Sequence, residues 1–165
     1  MQFNGLIYKL SQEIKSLITA FIIVLSIGFY SGLLFVNETS SASPIGIQEN
    51  YLGNENNEEA IVMKFKKSER EMLSIVHSHI LSMSMIFFFV GLLVSITSLK
   101  KPLKTFLMIE PFFSVLFTFG GMHLLWKGVL WMKYVVMFSG LLMTLSFTAA
   151  IIIILKELHI KKQNH

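Results

Sequence analysis

The chain has no cysteine, which excludes disulfides, thiolate metal sites and thiol redox chemistry. Charge is also scarce: Asp, Glu, Lys and Arg make up 15% of the 165 residues, whereas a soluble domain has about 25%. The sequence has no nucleophile paired with a base, no HExxH motif and no phosphate-binding glycine loop. An enzyme is therefore the least expected class of protein.

Long apolar runs are what the chain has instead, and 53% of its residues are hydrophobic. Each run is long enough to cross a bilayer, which takes about 20 residues. The runs cover residues 16–37, 72–99, 105–126 and 134–155. Only helices or closed barrels satisfy the backbone in lipid, so the sequence predicts an all-α membrane protein: a single membrane domain, 1–165, forming a four-transmembrane-helix bundle.

The first apolar run allows a second interpretation, as a cleaved signal peptide. Typical signal peptides have an apolar region of about 7–15 residues, and the run at 16–37 is longer. Its length favours a retained helix.

The polar segment 38–71 is predicted to be an extracytoplasmic loop. Its first part, up to residue 59, is rich in turn formers and acids and is expected to be irregular. Its second part, EEAIVMKFKKSEREML, is expected to form a helical collar at the membrane surface.

The net charge of +4 does not indicate nucleic-acid binding, because the basic residues flank the apolar runs. The basic residues instead predict how the helices are oriented in the membrane, since cytoplasmic loops carry more Lys and Arg than loops on the other side. Counting them puts both termini on the cytoplasmic side of the membrane. The residues on that side are Lys9, Lys15, Lys100, Lys101, Lys104, Lys156, Lys161 and Lys162.

Histidines occur at one predicted depth in two consecutive spans. From a rise of about 1.5 Å per residue, His79 and His77 lie roughly 10 and 13 Å outward of the bilayer centre, and His123 roughly 11 Å. Polar residues inside a membrane usually mark function. We therefore predict a haem b or a metal such as copper, bound near the outer leaflet by His123 with His77 or His79.

Met83 lies one helical turn from His79 and is a further candidate metal ligand, because a thioether suits haem or Cu(I). Such a site would serve electron transfer, sensing or assembly of a respiratory complex. The alternative is that the imidazoles bond to hydroxyls or backbone carbonyls and have a structural role.

Glu110, beside Pro111, is the only formal charge inside the third span. It lies roughly 8 Å to the cytoplasmic side of the centre. One interpretation is a protonatable group in a small transporter or ion pathway. The other, favoured because no second membrane carboxylate or buried Lys is evident, is a carboxyl bonded to Ser146 or Thr148.

Small residues recur four apart in two spans, where they permit close helix packing. Gly28 and Gly32 lie in the first, and Gly140, Thr144 and Thr148 in the fourth. We expect the two ridges to pack on each other or on another subunit. This pattern also fits an alternative function, a cofactor-free structural or accessory subunit of a membrane complex or a homo-oligomer.

Two stretches carry a resemblance to known proteins, HSHILSMSMIFF and EPFFSVLFTFGG. Together they resemble a family of small bacterial inner-membrane proteins with four helices and an H-x-H motif opening the second. The resemblance covers about residues 63–155 and implies the fold but no activity. A fainter similarity is to haem-copper oxidase subunit I-like proteins. This chain has too few helices and lacks their paired copper histidines, so oxidase chemistry is not carried over.

Overall fold

A computed structural model describes residues 6–57 and 60–159. The regular secondary structure of these residues is helical, without a strand. A short 3₁₀ turn, Ile7–Lys9, precedes the first long helix. The five helices are α1 (Gln12–Ser40), α2 (Pro44–Leu52), α3 (Glu69–Ser95), α4 (Lys101–Trp126) and α5 (Met132–His159).

The helices α1, α3, α4 and α5 are long and apolar enough to cross a membrane. They match the four predicted spans, although α3 ends at Ser95 and the turn that follows runs to Lys100. The chain therefore folds as a multi-pass helical membrane bundle. Helices α3, α4 and α5 pack on one another and form its centre.

Helix α1 lies at the edge of the bundle, with only Ile22 and Ser40 buried. It contacts α5 through Phe29, whose ring stacks on Phe147 at a centroid distance of 4.0 Å. The Tyr30 hydroxyl is 2.8 Å from the Thr148 hydroxyl. Aromatic stacking and one hydrogen bond thus hold α1 against α5.

The glycines of the two ridges do not pack on each other as expected, although Thr148 of the second ridge contacts Tyr30 of α1. A Cβ placed on Gly28, Gly32 or Gly140 would meet no atom of the described residues within 4 Å. Bulky side chains of α1 and α5 meet instead and keep the glycines apart. The alternative, that these ridges pack on another subunit, stays a prediction.

Part of the segment between α1 and α3 is helical, which corrects the prediction of an irregular loop up to residue 59. Helix α2 begins at Pro44, and the Ser43 hydroxyl accepts a hydrogen bond from the Gly46 backbone N–H. Serine at the N-cap followed by proline at N1 is a strong helix start. Gly46 has no room for a Cβ, which would lie 1.8 Å from the Ser40 carbonyl oxygen, so α2 turns tightly onto the end of α1.

The basic stretch before α3 is not the predicted helical collar. Residues 60–67 are non-helical, and Asn54 holds them through hydrogen bonds to the Lys64 N–H and the Val62 carbonyl. Helix α3 starts only after Ser68, because Ser68 and Glu71 form a reciprocal capping box. The cap fixes the start of the second membrane helix.

Candidate functional site

Glu110 lies on the buried face of α4, with 8% of its surface exposed. The Ser114 hydroxyl, one turn further along the same helix, donates a short hydrogen bond to Oε1. Oε2 is buried and has no hydrogen-bond partner among residues 6–57 and 60–159. The predicted partners Ser146 and Thr148 are therefore wrong, because Ser114 is nearer along the helix and Thr148 bonds to Tyr30.

A cleft between α4 and α5 runs beside Glu110. Its volume is about 600 Å³, within the usual range for ligand sites of about 300–1,000 Å³. Its surface is almost wholly apolar. It is lined by Thr105, Phe106, Ile109, Glu110, Phe113, Ser114, Phe117, Val135, Phe138, Ser139 and Leu142.

Hydroxyl groups continue from Glu110 toward the C-terminal end of α4, along the contact between α4 and α5. Ser114 is buried, and Thr118, one turn further on, lies 2.7 Å from the Ser139 hydroxyl of α5. Thr118 falls in a π-helical turn, Leu116–Gly120, that interrupts α4. Single π-turns are rare and frequently occur at functional sites. Glu110 is therefore the first of four buried polar residues that follow one another along the α4–α5 contact. We call this row the hydroxyl seam: Glu110, Ser114, Thr118 and Ser139.

The His79 ring of α3 is exposed and packs on Phe119 of α4, with centroids 4.8 Å apart. Its Nδ1 lies 2.8 Å from the Ile75 carbonyl oxygen. With that nitrogen donating, Nε2 of the neutral ring is an acceptor that can bind a metal. His77 is also exposed on α3. Half-buried Met83 packs against the hydrophobic core.

His123 is half-buried on α4, and its ring lies 5.8 Å from the Trp126 ring. Within the described part of the chain, its buried Nδ1 has no hydrogen-bond partner. Nor do any three His, Asp or Glu side chains there form a group that would hold a metal ion. The histidines thus do not converge as one three-ligand centre, and a haem between two of them stays a prediction.

Residues 41–165 match a family described as a transmembrane helical domain. The chain belongs to this family. No curated protein and no solved structure matches the chain. The comparisons thus support the membrane-bundle part of the resemblance and give no support to a similarity with haem-copper oxidases.

The match to the transmembrane helical domain family begins immediately after α1 and covers α2 to α5. It includes Glu110, the cleft and all three candidate histidines. The glycine pair of α1 lies outside it. The candidate site therefore lies wholly within the matched residues.

The same domain holds two buried charges that the sequence analysis missed. At the end of the bundle opposite to α2, the Lys104 ammonium donates to the carbonyls of Ser95 and Thr97, at 3.0 and 2.6 Å. Glu157 of α5 accepts from the backbone N–H and hydroxyl of Ser98, each at 2.7 Å. In the sequence both residues flank apolar runs, as charged residues of solvent-exposed loops also do. Only their hydrogen-bond partners in and beside the α3–α4 turn show that they are buried.

Proposed function

We propose that this protein is a small transporter or ion pathway in which Glu110 binds the cation that crosses the membrane. The observation that carries the proposal is a carboxyl group 8% exposed whose Oε2 meets no donor among the described residues. A carboxyl group in hydrocarbon is costly unless it is protonated or paired with a cation. Glu110 therefore suits a site in which a carboxyl group alternates between a protonated form and a form paired with a cation.

The hydroxyl seam supports a direction for the pathway. Ser114 and the Thr118–Ser139 pair offer polar groups at successive turns outward from Glu110. Toward the opposite end, buried Lys104 and Glu157 give the bundle a second polar cluster. Polar groups therefore occur on both sides of Glu110 inside an otherwise apolar bundle. The test is cation flux into proteoliposomes, which Glu110→Gln is expected to abolish.

A haem or metal site near the outer leaflet is the second candidate function, for electron transfer, sensing or assembly of a respiratory complex. The hydrogen bond from His79 to the Ile75 carbonyl supports this candidate function. The bond orients the imidazole ring and leaves its Nε2 available to bind iron. The buried Nδ1 of His123, which lacks a partner in the described structure, is a second imidazole available for coordination. His77 and Met83 are the remaining candidate ligands.

The spectrum of detergent-purified protein, oxidised and reduced, tests the haem candidate. A Soret band is expected in the wild type and is lost in His79→Ala and His123→Ala. His159→Ala is the matched control, because exposed His159 makes the same contact to a carbonyl four residues earlier but lies at the far end of α5. No chromophore and no stoichiometric metal, from cells that supply both, would eliminate this candidate.

We also propose that the protein lies in a bacterial inner membrane with both termini in the cytoplasm. The Lys and Arg count of the short loops supports this orientation. The cysteine-free chain allows single cysteines to be introduced at exposed Asn56 and Lys100. We expect an impermeant maleimide to label Asn56→Cys in spheroplasts, and Lys100→Cys only after permeabilisation. The reverse pattern would overturn the orientation.

A further inference from the structure

We propose that residues 60–67, together with Lys127, bind the headgroup of an anionic phospholipid in the membrane that surrounds the bundle. We call residues 60–67 the basic segment. It joins the end of the loop after α2 to the start of α3 and presents exposed apolar side chains and exposed cations together. It shares no residue with the hydroxyl seam, so the inference is independent of the proposed transport function.

The backbone of the basic segment is fixed before any ligand arrives. The Lys67 N–H donates to the Tyr51 carbonyl at 3.2 Å, and the Lys66 N–H donates to the Glu55 carboxylate at 3.4 Å. From the end of α4, the indole N–H of Trp126 donates to the Lys67 carbonyl at 2.8 Å. These bonds add to those that Asn54 makes with the same segment. The segment therefore displays its side chains in a set arrangement.

Four apolar side chains of the basic segment are exposed. Between 52% and 101% of their surface is open in Ile61, Val62, Met63 and Phe65. Exposed apolar side chains that lie together mark interaction surfaces. The membrane span α3 begins immediately after this segment, at the Ser68 cap. The segment thus lies where a span meets water, and the bilayer is the nearest apolar medium that covers these side chains.

Two ammonium groups lie at one indole ring beside these apolar side chains. Lys66 Nζ is 5.2 Å and Lys127 Nζ 4.6 Å from the centroid of the Trp126 ring. Lys127 also pairs with exposed Glu69 at 3.6 Å. In the part of the chain that the structure describes, neither Lys66 nor exposed Arg70 forms an ion pair with a carboxylate. Positive charge at this ring is therefore incompletely neutralised, and an anion would balance it.

Other charged side chains at this end of the bundle are engaged within the fold. The ammonium groups of Lys64 and Lys133 donate to the Thr39 carbonyl and to the Gln48 side chain. The Glu71 carboxylate accepts the hydrogen bonds that cap α3. These contacts leave the cations at the Trp126 ring as the groups that face a ligand.

An anionic phospholipid matches both parts of this surface. Its phosphate pairs with the ammonium groups, as at other basic segments beside a membrane span, and its acyl chains cover the exposed apolar side chains. A soluble anion would use the cations alone. The proposed orientation puts this end of the bundle outside the cytoplasm, where Lys and Arg are less frequent. Headgroup binding accounts for a basic cluster on that side.

Native mass spectrometry of the full chain in detergent tests the charge of the headgroup, with phosphatidylglycerol as the anionic probe and phosphatidylcholine as the zwitterionic one. Phosphatidylglycerol is expected to bind more tightly. Lys66→Gln combined with Lys127→Gln is expected to weaken its affinity at least tenfold, since each lysine contributes about fivefold. Lys100→Gln combined with Lys101→Gln removes the same charge from exposed side chains at the opposite end of the bundle and should leave that affinity unchanged.

A second experiment tests the apolar contact without the lysine variants. The cysteine-free chain allows Phe65→Cys to be spin-labelled in vesicles that contain phosphatidylglycerol. Phe65 is 72% exposed, so the label does not disturb the core. It is expected to collide more often with oxygen, which concentrates in lipid, than with a water-soluble nickel chelate. Asn56→Cys, exposed in the loop after α2, is the control and should show the reverse.

Equal affinity for the two lipids, or equal affinity of the two double variants for phosphatidylglycerol, would overturn the inference. Displacement of the lipid by soluble glycerol phosphate would also overturn it, by showing a site for soluble anions. So would a Phe65→Cys label that the nickel chelate reaches as readily as the Asn56→Cys label. Dipolar coupling between Phe65→Cys labels would put a second copy of the chain on this surface instead of lipid. Each of these results leaves Glu110-dependent flux unaffected.

Discussion

Replacing Glu110 by glutamine is expected to reduce cation flux into proteoliposomes at least tenfold, to about the rate of protein-free vesicles. Glutamine keeps the length of the side chain and still accepts a hydrogen bond from Ser114, but it can neither bind nor release a proton and offers no charge to a cation. Flux is measured with an internal pH dye under an imposed membrane potential, with K⁺ outside.

Glu38→Gln is the control for this experiment, because Glu38 is exposed near the end of α1 and far along the chain from the cleft. It should transport at the wild-type rate. Gel filtration and circular dichroism of both variants establish that they fold. Equal flux in wild type and folded Glu110→Gln would contradict the role of Glu110.

Replacing Lys104 by methionine is expected to lower the free energy of unfolding by about 3 kcal/mol. The ammonium is buried and donates to two carbonyls near the end of α3, those of Ser95 and Thr97. Hydrogen bonds to charged groups contribute about 1.5–3 kcal/mol each, and a buried acceptor left without its donor is costly. Methionine fills nearly the same volume, so the loss measures the polar contacts rather than a cavity.

Lys101→Met is the matched control, because Lys101 is exposed in the same first turn of α4. It should change the free energy of unfolding by less than about 0.5 kcal/mol. Both variants are unfolded by sodium dodecyl sulfate titration in mixed micelles. If the free energies of unfolding of the two variants differ by less than about 1 kcal/mol, the hydrogen bonds of Lys104 do not stabilise the fold.

The four membrane helices were predictable because lipid imposes one simple condition on sequence. A span must satisfy its backbone internally and be apolar over about 20 residues, and the four runs meet this condition. The polar segment between α1 and α3 is not under that condition. Its structure depends on local bonds such as Ser43 to Gly46, and the Ser–Pro start of α2 was a readable signal.

Side-chain partners were less predictable than helices. The sequence identified Glu110 as a charged residue inside a span but suggested Ser146 or Thr148 as its partner, whereas Ser114 on the same helix donates to it. An estimate of depth carries no information on which face of a helix a residue occupies. The burial of Lys104 and Glu157 was not predicted, because their partners lie in and beside the α3–α4 turn.

Of the neighbouring glycines Gly120 and Gly121 in α4, only one lies close to another helix. A Cβ on Gly121 would come within 3.0 Å of Val136 on α5. At Gly120 it would meet nothing among the described residues within 4 Å. Adjacent helical residues point in different directions, so two neighbouring glycines cannot both face the same helix.

The π-helical turn Leu116–Gly120 puts the two halves of α4 out of phase. Such a turn holds about one residue more than an α-helical turn, and one residue corresponds to about 100° of rotation. Trp126 therefore points about 100° from its direction in an uninterrupted helix. In its actual direction, its indole N–H donates to the Lys67 carbonyl at 2.8 Å. One extra residue within α4 thus decides which side chain bonds the segment before α3 to the bundle.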